Sequence, residues 1–443
     1  MTIRNLQCFS RQKEEELIQW LSQRGWIDPS LQDKVSQIVD RVEKDGDSAL
    51  VDYSRQFDCP DFTREMIGVP IDRIQGARDR IDPEDKALIE EAIHNIHSFH
   101  SHQKRTSWFV SPNQGLITGQ LHRPLDSAGM YIPGGRSGDT PLISSLLMNV
   151  IPAQIAGVNR ICLTSPPGSD GELNPYTLAS ADLLGIREIY AVGSAWAVAA
   201  LALGTETVPQ VDMISGPGNV FVTLAKKLLY GRVGIDMLAG PSEILILADT
   251  TADPAFLASD LLSQAEHDED SCAMLFSPNP ELLQRVEIEL KRQLENLPRA
   301  QTAKNSLSRW GGLVLVPDVE SGISLINRIA PEHLQLCLQS PWDWIDSVRN
   351  AGTLFLGSAT PEPLGDYFAG PNHVLPTVGT ARFASGLGVD SFCKRTNLVS
   401  ATPDYIQRNA DSISRLARLE GLEAHARSAL LRSEGKDRAN SKD

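Results

Sequence analysis

Twice along this chain short apolar runs alternate with helix-length segments, and that alternation limits the fold more than any other feature. The first series reads as strand 128–132, helix 142–156, strand 160–164, helix 176–184, strand 188–192, helix 195–203, strand 211–214 and helix 220–230. The second reads as strand 244–247, a helix opened by Asp253-Pro254, strand 273–276, helix 280–294, strand 313–316, helix 321–329, and strands 334–338 and 353–356. A run such as Ile244-Leu245-Ile246-Leu247 is apolar on both faces, as a parallel strand covered by helices requires. No fixed period relates the two series. The expectation is an α/β chain with two Rossmann-like, incomplete parallel-sheet domains facing a cleft, plus small helical segments at the N- and C-terminal ends.

Composition removes several function classes. The 443 residues are enough for two or more domains with sizeable cores. A formal charge of -15 argues against nucleic acid and anionic membranes as partners, because a phosphate backbone demands clustered Lys and Arg. The six cysteines are scattered without C-x-x-C spacing, which points to neither a disulfide framework nor a Cys-rich zinc site. With no leader-like apolar core at the N-terminus and no run of about 20 apolar residues, the expected location is the cytoplasm, away from any membrane.

Few residues announce chemistry by spacing alone. Gln264 and His267 stand three apart at the end of the helix that follows 244–247, so both project from one face; taken alone, such a pair is more often simply solvated. His94, His97 and His100, with His102 just after, fan around an amphipathic helix that begins near Asp82-Pro83, and read as a solvated face. No G-x-G-x-x-G marks a dinucleotide turn. The turns Pro133-Gly134-Gly135 and Gly216-Pro217-Gly218-Asn219 stand where backbone N–H groups at a helix start meet a pyrophosphate, and fit a plain turn equally well. Glu332-His333 follows Pro331 at a turn, where neighbouring side chains can share a cleft.

Taken together, the turn Ala239-Gly240-Pro241-Ser242-Glu243, the Gln264-x-x-His267 pair, IAPEHLQL around Glu332, LGDYFAGPNHVLPT around Asp366 and LEGLEAHARSALL around His425 resemble the histidinol dehydrogenases over nearly the whole chain. The resemblance implies a zinc-requiring, NAD-dependent oxidation of L-histidinol to L-histidine through bound L-histidinaldehyde, the last step of histidine biosynthesis. It implies Gln264, His267, Asp366 and His425 as zinc ligands. Glu332 and His333 would be the catalytic pair, with His333 the base that takes the alcohol proton and Glu332 activating the water that attacks the aldehyde. Substrate contacts fall on Ser242, Gln264, His267, His333, Asp366, His373, Glu420 and His425. Cofactor contacts fall on Tyr131, Trp196 and Asn219. At the middle one this chain reads Gly193-Ser194-Ala195-Trp196, with Ser and Trp where the family carries a second Gly and a Gln; the loop 134–141, GGRSGDTP, also departs slightly from the usual one.

The same resemblance divides the chain into an N-terminal helical segment 1–27, a discontinuous metal and catalytic α/β domain of 28–128 and 243–385, a nucleotide-binding α/β domain of 129–242, and a C-terminal helical arm 386–443 with a disordered tail. The arm, with apolar positions Ile406, Ile413, Leu416, Leu419 and Leu422, is expected to be exchanged between the subunits of a homodimer. Two other functions stay open at this level. One is a dehydrogenase of the same superfamily acting on another small alcohol, such as a sulfonated diol; the other is a zinc hydrolase in which the Glu-His pair activates water for amide cleavage.

Overall fold

In the computed structural model, which describes residues 3–25, 28–134 and 140–434, the two series form two parallel sheets within one unit made of residues 1–103 and 125–392. The larger sheet holds β1 (Arg4–Gln7), β9 (Glu243–Ala248), β10 (Cys272–Ser277), β11 (Gly312–Leu315), β12 (His333–Cys337) and β13 (Thr353–Leu356), in the order β1-β11-β10-β9-β12-β13. Its neighbours all run parallel. The smaller holds β4 (Ser127–Tyr131), β5 (Arg160–Thr164), β6 (Glu188–Tyr190), β7 (Met213–Ser215) and β8 (Gly234–Ile235), also parallel, in the order β6-β5-β4-β7-β8. Each central strand is buried along its length, which is why β9 and β10 carry apolar residues on both faces.

Two local rules set the helices. Asp82, Asn174, Asp253 and Asn279 each accept a backbone N–H from the first turn and are followed by Pro at the first helical position. The helices then bury one stripe. In Pro83–Ser101 that stripe is Ile89, Ala92, Ile96 and also His100, which is fully buried; the solvated-face reading holds for His94, His97 and His102 and fails for His100.

Residues 29–101 share their apolar core with the smaller sheet: Val35, Val39, Leu50, Phe62 and Ile96 join the cluster that holds Met130, Leu163 and Ile214. The sequence grouped 28–128 with 243–385 instead. Amphipathic helices show which face they bury and not what they bury it against.

The second unit comprises residues 104–124 and 393–443. Its sheet is antiparallel, in the order β14-β3-β2, with β2 (Trp108–Asn113), β3 (Leu116–Pro124) and β14 (Cys393–Ala401). Helices Pro403–Leu419 and Glu423–Ser433 follow, hinged at Gly421 in a left-handed conformation. The expected C-terminal arm thus begins with a strand. The tail from residue 435 onward and residues 135–139, Gly135 among them, lie outside the described residues. No helix among the described residues is long and apolar enough to cross a membrane.

Candidate active site

A cavity of about 630 Å³ lies between the two parallel sheets, reached by Pro217, Gly218 and Val220 from the smaller and by Ser242, Gln264, Glu332 and His333 from the larger. The larger sheet contributes the amino ends of its strands. Glu243 opens β9 and His333 opens β12, paired so that His333 stands opposite Ile244. The helix Pro254–Ala265 runs back from the far edge of β9, so its last turn brings Gln264 and then His267 to the same end. Open α/β sheets ordinarily bind ligands outside their carboxyl ends. Here only the smaller sheet turns its carboxyl ends to the cavity, through Pro217 and Gly218 in the turn after β7.

His333 is buried. Its Nδ1 lies 3.0 Å from the Glu243 carbonyl and 3.2 Å from Gln264 Oε1. Its Nε2 is buried with no hydrogen-bond partner among the described residues, 4.0 Å from Glu362 Oε1 and 3.9 Å from Asp366 Oδ1. Burial lowers the His333 pKa to about 4, so the imidazole is neutral. Glu332 is equally buried: its Oε2 accepts the Glu243 N–H at 2.8 Å, and burial, with Glu243 close by, holds its pKa well above the usual carboxylate range. His373 lines the same cavity with Nδ1 3.0 Å from the Asp366 carbonyl.

The structure gathers Ser242, Gln264, His267, Glu332, His333, Asp366 and His373 around one cavity, although His267 is exposed. Glu420 and His425 belong to the second unit, where both are exposed. The sequence missed Glu362. It sits on the short helix Glu362–Tyr367, buried, with no hydrogen-bond partner for Oε1 among the described residues and its pKa raised to about 9 by burial and by Asp366. His333, Glu362 and Asp366 offer ligand atoms all within 4.8 Å of one another. Asp366, the Gln264 amide and His267, which line the same cavity, are mixed nitrogen and oxygen donors of the kind a divalent ion accepts, and they leave the His333 Nε2 lone pair free.

The three expected cofactor contacts differ. Asn219 is exposed at the start of helix Val220–Leu229, and its Oδ1 caps the Phe221 and Val222 N–H groups. A Cβ on Gly216, whose φ is +128°, would fall 1.9 Å from the Tyr131 carbonyl oxygen, so only glycine lets the turn lie this close to β4. These features fit a pyrophosphate at the helix start. Tyr131 and Trp196 are buried. The Tyr131 hydroxyl accepts the Ser194 N–H at 3.3 Å, and the Trp196 ring is stacked by Tyr53 and Phe57 at centroid distances of 5.5 and 5.6 Å. The Trp196 indole therefore acts in the core.

Comparison with known proteins agrees with this geometry. The sequence profile described as histidinol dehydrogenase matches residues 23–433. The chain is 54% identical to the histidinol dehydrogenase of Oleidesulfovibrio alaskensis over 90% of its own length and 92% of that protein's. It is 55% identical to that of Nitratidesulfovibrio vulgaris over 92% and 93%. The crystal structure of histidinol dehydrogenase from Elizabethkingia anophelis superposes with a TM-score of 0.92 at 36% identity, covering 98% of this chain and 99% of that one.

Proposed function

The chain belongs to the histidinol dehydrogenase family, and from that premise we propose that it oxidises L-histidinol to L-histidine through bound L-histidinaldehyde, the last step of histidine biosynthesis. The single observation that carries the reading is the buried Glu332-His333 pair lining the cavity, with no hydrogen-bond partner for His333 Nε2 among the described residues. Each of the two steps removes two electrons: the alcohol loses a hydride from carbon and a proton from oxygen, then the hydrated aldehyde does the same. The second step consumes one water.

His333 takes the alcohol proton at Nε2. A neutral imidazole whose other nitrogen is committed to a carbonyl does this without changing its orientation. Glu332 activates the water for the aldehyde, its carboxyl prepared for proton uptake by burial. The cavity walls keep bulk water from the aldehyde. Gln264, His267 and Asp366, with His425, would hold zinc, which when bound supplies a fixed positive template for the substrate's nitrogen atoms. NAD, when bound, would supply the hydride acceptor; the Gly216–Asn219 turn, packed against the Tyr131 carbonyl, would hold its pyrophosphate, and Tyr131, Trp196 and Asn219 are the residues that the family resemblance assigns to the cofactor. Ser242, His373 and Glu420 contact the substrate. Glu420 and His425 come from the second unit of a partner copy, in a homodimer with exchanged C-terminal arms.

The test is NADH absorbance when zinc-loaded protein meets L-histidinol and NAD, with Glu332→Gln alongside. Two NADH per histidinol from the wild type and a stall near one in the variant are expected. No NADH from histidinol would overturn the reading, in favour of another small alcohol or of hydrolysis independent of NAD.

A further inference from the structure

Arg24 and Glu243 form a buried ion pair directly behind the catalytic dyad. Arg24 reaches it from the N-terminal segment: Nη1 bonds Glu243 Oε2, and Nη2 donates to the carbonyls of Pro241 at 2.9 Å, Ser242 at 3.1 Å and Asp270 at 3.4 Å. The side chains are 1% and 8% exposed. A buried pair is weak support for stability, since apolar residues of the same volume would serve as well; its use must be sought in what it holds.

What it holds is Glu332. Glu243 and Glu332 exchange hydrogen bonds, the Glu243 N–H to Glu332 Oε2 at 2.8 Å and the Glu332 N–H to Glu243 Oε1 at 3.2 Å. Glu243 Oε1 also accepts the Val378 N–H at 3.0 Å, and Oε2 is taken by Arg24. With the Thr353 N–H on the Glu332 carbonyl at 2.9 Å, the Glu332 residue is gripped at its N–H, its carboxylate and its carbonyl. It needs that grip. Ala330, two residues before it, turns through φ +55°, and Pro331 donates nothing. His333 depends on the pair less: it touches only the Glu243 backbone carbonyl, which the ladders to β10 and β12 fix independently of the side chain.

We infer that Arg24 and Glu243 are positioning residues for Glu332, and that they serve the water-activating, aldehyde-oxidising step selectively over alcohol oxidation. The inference rests on the reading of Glu332 given above. A merely structural pair would be felt by both steps.

The experiment compares zinc-loaded wild type, Arg24→Gln/Glu243→Gln and Arg24→Lys by stopped-flow NADH formation, once from L-histidinol and once from supplied L-histidinaldehyde, with an aldehyde trap to detect released intermediate. In the double variant, aldehyde oxidation is expected to fall about 10- to 100-fold, while the first hydride transfer from histidinol stays within about threefold. Aldehyde should then escape to the trap. Arg24→Lys keeps the charge and loses the planar fork, so a smaller loss confined to the same step is expected. Should the double variant fail to fold, Arg24→Lys alone decides. Equal slowing of both steps, or no slowing of either, would overturn the inference. Absence of NADH from the wild type would instead remove the functional reading beneath it, before any variant is compared.

Discussion

The Nδ1 of His333 faces the carbonyl oxygen of Glu243 at 3.0 Å, and this one contact fixes the tautomer. A carbonyl only accepts, so the proton of the neutral ring sits on Nδ1 and the lone pair on Nε2, turned toward Glu362 and Asp366. His333→Asn keeps a donor toward the Glu243 carbonyl and puts no base where Nε2 was. The first hydride transfer from histidinol should fall about 10²- to 10⁴-fold in single-turnover measurements.

Zinc should bind without substrate and be seen without turnover. At about 100 times its dissociation constant it adds about 2.7 kcal/mol to stability, read as a rise in thermal midpoint that a chelator reverses. Asp366→Asn weakens the donor set and should remove most of that rise. An equal zinc shift in the variant would exclude Asp366 as a ligand.

Trp196 should matter to folding. Replacing it with Gln removes both ring stacks, with Tyr53 and with Phe57, and leaves a polar group in a buried slot. A loss of about 3–5 kcal/mol in denaturant unfolding is expected, and Trp196→Phe should lose less.

Asp58 gives the fold a pH dependence of its own. Burial pushes its carboxyl from an ordinary 3.8 up to about 7, and its Oδ2 has no partner among the described residues. The folded chain therefore binds this proton more tightly than the unfolded chain. Its contribution is lost as pH rises from about 4 to about 7, and the cost stays constant above. Asp58→Asn removes the cost. The thermal midpoint of the variant should exceed that of the wild type by a margin that widens from pH 5 to pH 7 and is flat beyond pH 8.

Much of this was legible in the chain. Helix Pro280–Leu294 and strands Arg160–Thr164 and Thr353–Leu356 fall where periodicity sets them, and β9 extends one residue beyond its predicted run at each end. His100 was readable too, since it stands four residues after Ile96 on the buried stripe; counting histidines hid the spacing. Helix Ala300–Trp310 buries Ala303, Ser306, Leu307 and Trp310 at helical intervals, but two of the four are too small to register as apolar. β14 is exposed or half-buried along its whole length, so no alternation reveals it; its pairing with β3 defines it. Glu362 was not legible. A carboxylate acquires its chemistry here from His333, brought to it by the sheet, and nothing within its own few residues differs from a surface loop.

The strands of the second unit are far apart in time. β3 pairs with β14 residue for residue, yet about 270 residues of chain separate Pro124 from its partner Cys393. At ordinary elongation rates, the hairpin of β2 and β3 leaves the ribosome roughly 15 to 50 s before its third strand exists. For that interval β3 presents nine residues of open edge. A chain built this way finishes last where it began early. Its yield in the cell depends on the nascent hairpin staying soluble, a demand that no property of the finished enzyme reveals.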